Sequence, residues 1–123
     1  MEQTIDKTMV TKAIISKIQD ENMPEKIKAI HLKDYDTPDK ISVKGKNIGY
    51  TPDIEAFFKK EINVYEIELD KKMPVEKWRL LSLYAKKNNG NFYLVIPDYL
   101  RGPVKDEISK NDISARIIYF ETN

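Results

Sequence analysis

The run Phe92-Tyr93-Leu94-Val95-Ile96-Pro97 constrains this chain most. It carries no charge along its length, and such a continuous run is typical of a strand covered on both faces. The sheet containing it therefore needs a layer above and a layer below. With 123 residues, 41% apolar and 33% charged, the chain can bury one core and is too short for two ordinary domains. One domain over residues 1–123 is expected.

The flanking segments supply the layers. Ile5, Met9, Val10, Ala13, Ile14 and Ile18 recur at helical spacing, with Lys7, Lys12 and Lys17 largely opposite, which predicts an amphipathic helix over about 4–20. Residues 26–32 alternate weakly as a strand, with His31 a half-buried strand position, and 34–49 carry the turn chemistry of a loop or irregular strand return. Residues 51–58 and 62–69 are the best strand pair, joined by Lys59-Lys60-Glu61. Pro74 suits the first turn of a helix running to about Asn88, which Asn89-Gly90 stops. A short helix at Pro103–Lys110 and a last strand at Ala115–Phe120 complete the chain. This order predicts an α/β domain, a mixed sheet with helices on both faces.

Composition removes several chemistries. The chain has no cysteine and a single histidine, which excludes disulfides, thiol nucleophiles, thiolate zinc and His-rich metal sites, and disfavours a histidine-based triad. Carboxylates, lysines and hydroxyls remain. No signal-peptide pattern or long apolar stretch occurs, so a cytoplasmic protein with no membrane partner is expected. A net charge of +1 gives no global drive toward nucleic acid.

The acids sit in a pattern. If the two best strands pair through a two-residue turn, partner numbers sum to 119 or 121, which sets Asp53 opposite Glu66 or Glu68. Period-two alternation then puts Asp53, Glu55, Phe57, Ile62, Val64, Glu66 and Glu68 on one face. The other face carries Ile54, Ala56, Phe58, Tyr65, Ile67 and Leu69. The first face is apolar near the turn and anionic at its far end, with Glu55 read as a solvated strand residue. On the following helix, Trp78, Ala85, Leu81, Tyr84 and Leu80 form an apolar arc that also contains Lys77, so a cation faces the layer holding the acids. Three clustered acids are costly without a cation: two carboxylates ~5 Å apart repel by roughly 3 kcal/mol at an effective dielectric of about 20. A metal, a bridging lysine or a protonated acid must offset that.

Pro52-Asp53, a gap of thirteen residues to Glu66, then Glu66-Ile67-Glu68 at a strand end resembles the PD-(D/E)XK nuclease superfamily. The element order, αβββαβαβ, is similar to that family's restriction-endonuclease-like three-layer core over most of the chain. The resemblance implies a Mg²⁺ (or Mn²⁺) cofactor ligated by Asp53, Glu66 and the Ile67 carbonyl, with Asp53, Glu66, Glu68 and Lys77 as catalytic residues. It implies DNA or RNA as partner and a homodimer as one arrangement. The departure is Glu68, which stands where the family has lysine. Glu68 would then ligate or orient water, and Lys77, or less favourably Lys71 or Lys72, would be the nearby replacement cation. Loss of that lysine is also common in members without nuclease activity. Three readings stay open: a metal-dependent nuclease, a catalytically silent interaction module of the same fold, and an unrelated α/β domain with surface acids. Lys59-Lys60, Lys71-Lys72 and Lys86-Lys87 read as solvated ends of elements, the first two able to guide phosphates if they flank the acids.

Overall fold

The computed structural model describes residues 5–43 and 45–122. Its elements are α1 (Lys7–Asn22), β1 (Lys26–Ala29), β2 (Ile41–Ser42), β3 (Gly49–Tyr50), β4 (Ile54–Phe57), β5 (Ile62–Ile67), α2 (Val75–Lys87), β6 (Phe92–Pro97), a 3₁₀ turn Asp98–Leu100, α3 (Arg101–Lys110) and β7 (Arg116–Phe120). Five strands form a mixed sheet in the order β1-β4-β5-β6-β7. β1 pairs with β4 and β4 with β5 in antiparallel fashion, whereas β5, β6 and β7 are mutually parallel. β2 and β3 pair as a separate two-stranded ribbon where a loop or strand return was expected. No helix among the described residues is long and apolar enough to cross a membrane.

Two crossovers, β5-α2-β6 and β6-α3-β7, step in the same direction along the sheet. Right-handed crossovers then require α2 and α3 on one face, leaving the other for α1. The cores divide accordingly. Val10, Ile14, Ile15 and Ile18 of α1 pack with Ile27, Ile54, Ala56, Tyr65, Ile67 and Val95. Trp78, Leu81 and Ala85 of α2 and Val104 of α3 pack with Val64, Phe92, Leu94 and Ile96. β6 feeds both cores, as its uninterrupted apolar run demands. Tyr65 and Tyr93, on neighbouring strands and the α1 face, stack with centroids 4.5 Å apart.

α1 starts where Asp6 accepts the Met9 amide at 2.8 Å and ends at Met23 in the left-handed region, φ 49°; residue 4, the expected start, lies outside the described residues. Its buried stripe is Val10, Thr11, Ile14, Ile15 and Ile18, turned from the expected one, so Met9 and Ala13 face solvent. The Thr11 hydroxyl donates to the Lys7 carbonyl at 2.7 Å, which satisfies it and lets it enter the core. β1 stops at Ala29, and His31 is an exposed turn residue at φ 58° rather than a strand position. Pro74 is the N-cap of α2 rather than part of its first turn.

Candidate active site at the end of strand β5

The β4–β5 register pairs Ile54 with Tyr65 and Phe57 with Ile62. Partner numbers sum to 119, so the position just before β4, Asp53, lies opposite Glu66. Asp53, Glu66 and Glu68 thus gather at the end of the sheet where β4 begins and β5 finishes. Lys59 and Lys60, in the β4–β5 turn, belong to the opposite end and do not flank the acids.

Backbone hydrogen bonds fix the acid pair. The Asp53 amide donates to Glu66 Oε1 at 3.1 Å, and the Ile67 amide donates to Asp53 Oδ2 at 2.8 Å. Both carboxylates are inaccessible, Asp53 at 0% and Glu66 at 1% exposure. Each also has a lysine, supplied from opposite layers. Lys7 Nζ, at the start of α1, lies 3.0 Å from Asp53 Oδ2, and Lys77, in the first turns of α2, pairs with Glu66 Oε2. Asp53 Oδ1 alone is buried without a hydrogen-bond partner among the described residues.

Sequence reasoning found Asp53, Glu66 and Lys77 and missed Lys7. The amphipathic pattern assigned Lys7 to the outer side of α1, but its position at the N-terminus lets a flexible stem reach around the sheet end. Glu68 is half-buried and accepts the Trp78 indole Nε1–H at 2.9 Å, so α2 holds it. Lys71 and Lys72 are exposed, and the Lys72 backbone amide donates to Asp70 Oδ1 at 2.8 Å. Ile67 contributes an observed amide donor to Asp53.

Glu55 corrects the expectation of a solvated residue. It is 2% exposed, its Oε2 accepting the Tyr84 hydroxyl at 2.8 Å. Tyr84 lies on α2, whose packing over β4 no strand pattern could show. Burial raises the Glu55 pKa, partly offset by the Tyr84 hydrogen bond and by Lys28, and burial with the same bond raises that of Tyr84.

The electrostatics of the acid pair follow from burial. Desolvation, then the neighbouring Asp53 charge, pushes the Glu66 carboxyl up to about 8 against the opposing pull of Lys77. Desolvation also raises Glu68, with the Trp78 hydrogen bond opposing it. Burial disfavours the Lys77 ammonium, but Glu66, Asp53 and Glu68 outweigh it and hold its pKa above the ordinary lysine value. Both shifts favour the protonated forms: Lys77 holds its positive charge, and Glu66 takes on carboxylate charge reluctantly.

No group of three or more Asp, Glu, His or Cys side chains among the described residues is gathered to enclose an ion. A divalent ion would have to use the Asp53–Glu66 pair and keep water in its other positions. Magnesium tolerates that, since it favours oxygen ligands and usually keeps several waters. The unpaired buried Asp53 Oδ1 is the donor such an ion would take, since an oxygen stripped of water and of hydrogen bonds gains most from a cation. Comparison with family models, with curated proteins and with solved structures finds no match to this chain.

Proposed function

We propose that this chain is a divalent-metal-dependent nuclease of the restriction-endonuclease-like fold, acting on phosphodiester bonds. The observation that carries the reading is Asp53 Oδ1, a buried and unpaired carboxylate oxygen beside Glu66. Asp53 and Glu66 would hold Mg²⁺ or Mn²⁺, which when bound lowers the pKa of a water and neutralises charge developing at phosphorus. The hydrogen bonds from the Asp53 and Ile67 amides orient both carboxylates before any substrate arrives. Lys77 supplies the cation that the sequence pattern lacks at Glu68, reaching Glu66 from α2 instead of from β5. Glu68, anchored by Trp78, is left to orient water or phosphate.

A second reading is favoured by one observation: Asp53 and Glu66 each already have a lysine. Two carboxylates neutralised by two ammonium groups need no metal, as in a silent member of the fold serving as an interaction module. Calorimetric titration of the folded protein with Mg²⁺ and Mn²⁺, beside hydrolysis of labelled DNA and RNA oligonucleotides, separates the two. The nuclease reading expects heat and Mn²⁺-dependent cleavage, both lost in Asp53→Asn and Glu66→Gln. Absence of heat and cleavage at millimolar ion, with the protein folded, decides for the silent module.

A further inference from the structure

A groove of about 440 Å³ lies between α1 and the turn after β1, lined by Thr8, Lys12, Ser16 and Gln19 on one side and His31 and Lys33 on the other. Its α1 wall runs from Thr8 to Gln19, twelve residues and about 16 Å of helix at ~1.5 Å per residue. One end approaches Asp53, through the backbone and through Lys7. The Ile30 amide, one residue before His31, donates to the Asp53 carbonyl at 3.0 Å. Lys7, one residue before Thr8, is the lysine paired with Asp53.

We propose that this groove binds the sugar-phosphate backbone of a single-stranded nucleic acid and leads it to Asp53 and Glu66. The substrate class rests on the nuclease reading above, whereas the groove is argued from its own residues. Among the described residues, neither Lys12 nor Lys33 lies within ion-pair distance of an acid, so both charges are available to phosphates. The acid in the lining, Asp34, is exposed. Thr8, Ser16 and Gln19 add donors of the kind that position a backbone without reading sequence. Tyr35, whose hydroxyl accepts Gln19 Nε2 at 3.2 Å, brings an aromatic ring to the lining, the feature that accepts a stacked base. His31 takes a left-handed backbone, φ 58°, which is uncommon for a residue with a side chain and turns the chain at the mouth of the groove. A volume of this size suits a ligand of one or two nucleotides rather than a duplex.

A second cleft of about 400 Å³ also carries cations, Lys86 and Arg116. It lies at the starts of β6 and β7, whereas the acids lie at the finishing end of β5, to which both strands are parallel. That cleft does not lead to the site.

The test is fluorescence anisotropy of a labelled single strand of about 12 nucleotides, within the range such sites cover, with chelator present so that nothing is cleaved. The full chain should bind, and Lys12→Ala/Lys33→Ala should weaken binding about tenfold. The salt dependence should shallow by roughly 1.4 in log–log slope, about 0.7 per lost phosphate contact on a single strand. Lys59→Ala/Lys60→Ala, at the opposite end of the sheet, should leave both unchanged. A thermal melt of each variant verifies that it is folded. Absence of binding by the full chain, an equal loss in the Lys59/Lys60 variant, or duplex binding indifferent to Lys12 and Lys33 overturns the proposal. Strand binding through Lys12 and Lys33 without metal-dependent cleavage supports the groove and refutes the catalytic reading. Cleavage with binding untouched by the Lys12/Lys33 change does the reverse.

Discussion

Asp53 and Glu66 lock each other through the backbone: Glu66 Oε1 accepts the amide of Asp53, and Asp53 Oδ2 accepts the amide of Ile67, the residue after Glu66. The two carboxylates therefore stay at the sheet end because the strands pair, whatever else they bind. Their cost is offset from two layers, by Lys7 of α1 and Lys77 of α2. Two consequences follow for stability.

Acid titration should stabilise the metal-free protein. The Glu66 carboxyl is pushed up to about 8 by burial from an ordinary value of 4.5, so between those values the folded state binds more protons than the unfolded one. Stability is then fully present below about pH 4.5 and is lost as pH rises through about 8, at up to ~1.4 kcal/mol per pH unit for one proton. Glu68 and Glu55 are raised by burial and act with the same sign. Thermal melts in chelator across pH 5 to about 9 should fall with pH, and Glu66→Gln should flatten the fall. An unchanged slope in that variant assigns the effect to other groups.

Removing Lys77 should cost more than removing Lys7. Lys77→Met leaves Glu66 buried without its cation, a change of the kind that costs about 3–5 kcal/mol when one partner of a buried pair is lost. Lys7 is 41% exposed, and water screens its pair with Asp53, so Lys7→Met should cost about 1 kcal/mol or less. Because Glu66 can take up a proton, the Lys77→Met loss should be larger at pH 9 than at about pH 5. Urea unfolding of both variants at the two pH values measures this. A Lys77→Met/Glu66→Gln double variant should recover part of the loss, since the two residues are in contact.

Gly90→Ala tests the α2-to-β6 turn. A Cβ on Gly90 would stand 1.8 Å from the Ile62 carbonyl oxygen, a backbone atom. The same stretch is tied down by Ile62 donating to the Asn88 carbonyl at 3.1 Å and Asn91 donating to Asn63 Oδ1 at 2.8 Å. The backbone has to move, at about 3 kcal/mol or more. A melting temperature within about 2–3 °C of the parent would mean that the turn yields to a side chain at little cost.

The sequence determined the parts of this protein that depend on local period and local chemistry. The alternation of 51–58 against 62–69 put Asp53 and Glu66 on one face, because side chains in a strand alternate and a one-residue slip would expose Ile54, Tyr65 and Ile67. The charge-free run at 92–97 required cover on both faces, and the helical arc containing Lys77 brought a cation beneath α2. Only the tertiary structure decided which groups those elements meet. Lys7 reaches Asp53 because α1, packed on the other face, starts beside the sheet end, Glu55 is buried because α2 brings Tyr84 to it, and Glu68 is anchored because Trp78 faces it. Each of these contacts joins residues between 10 and 46 positions apart, so no periodicity within one segment could encode it. A strand pattern reports which way a side chain points; the layer packed against it decides whether that side chain meets water, a lysine or a ring.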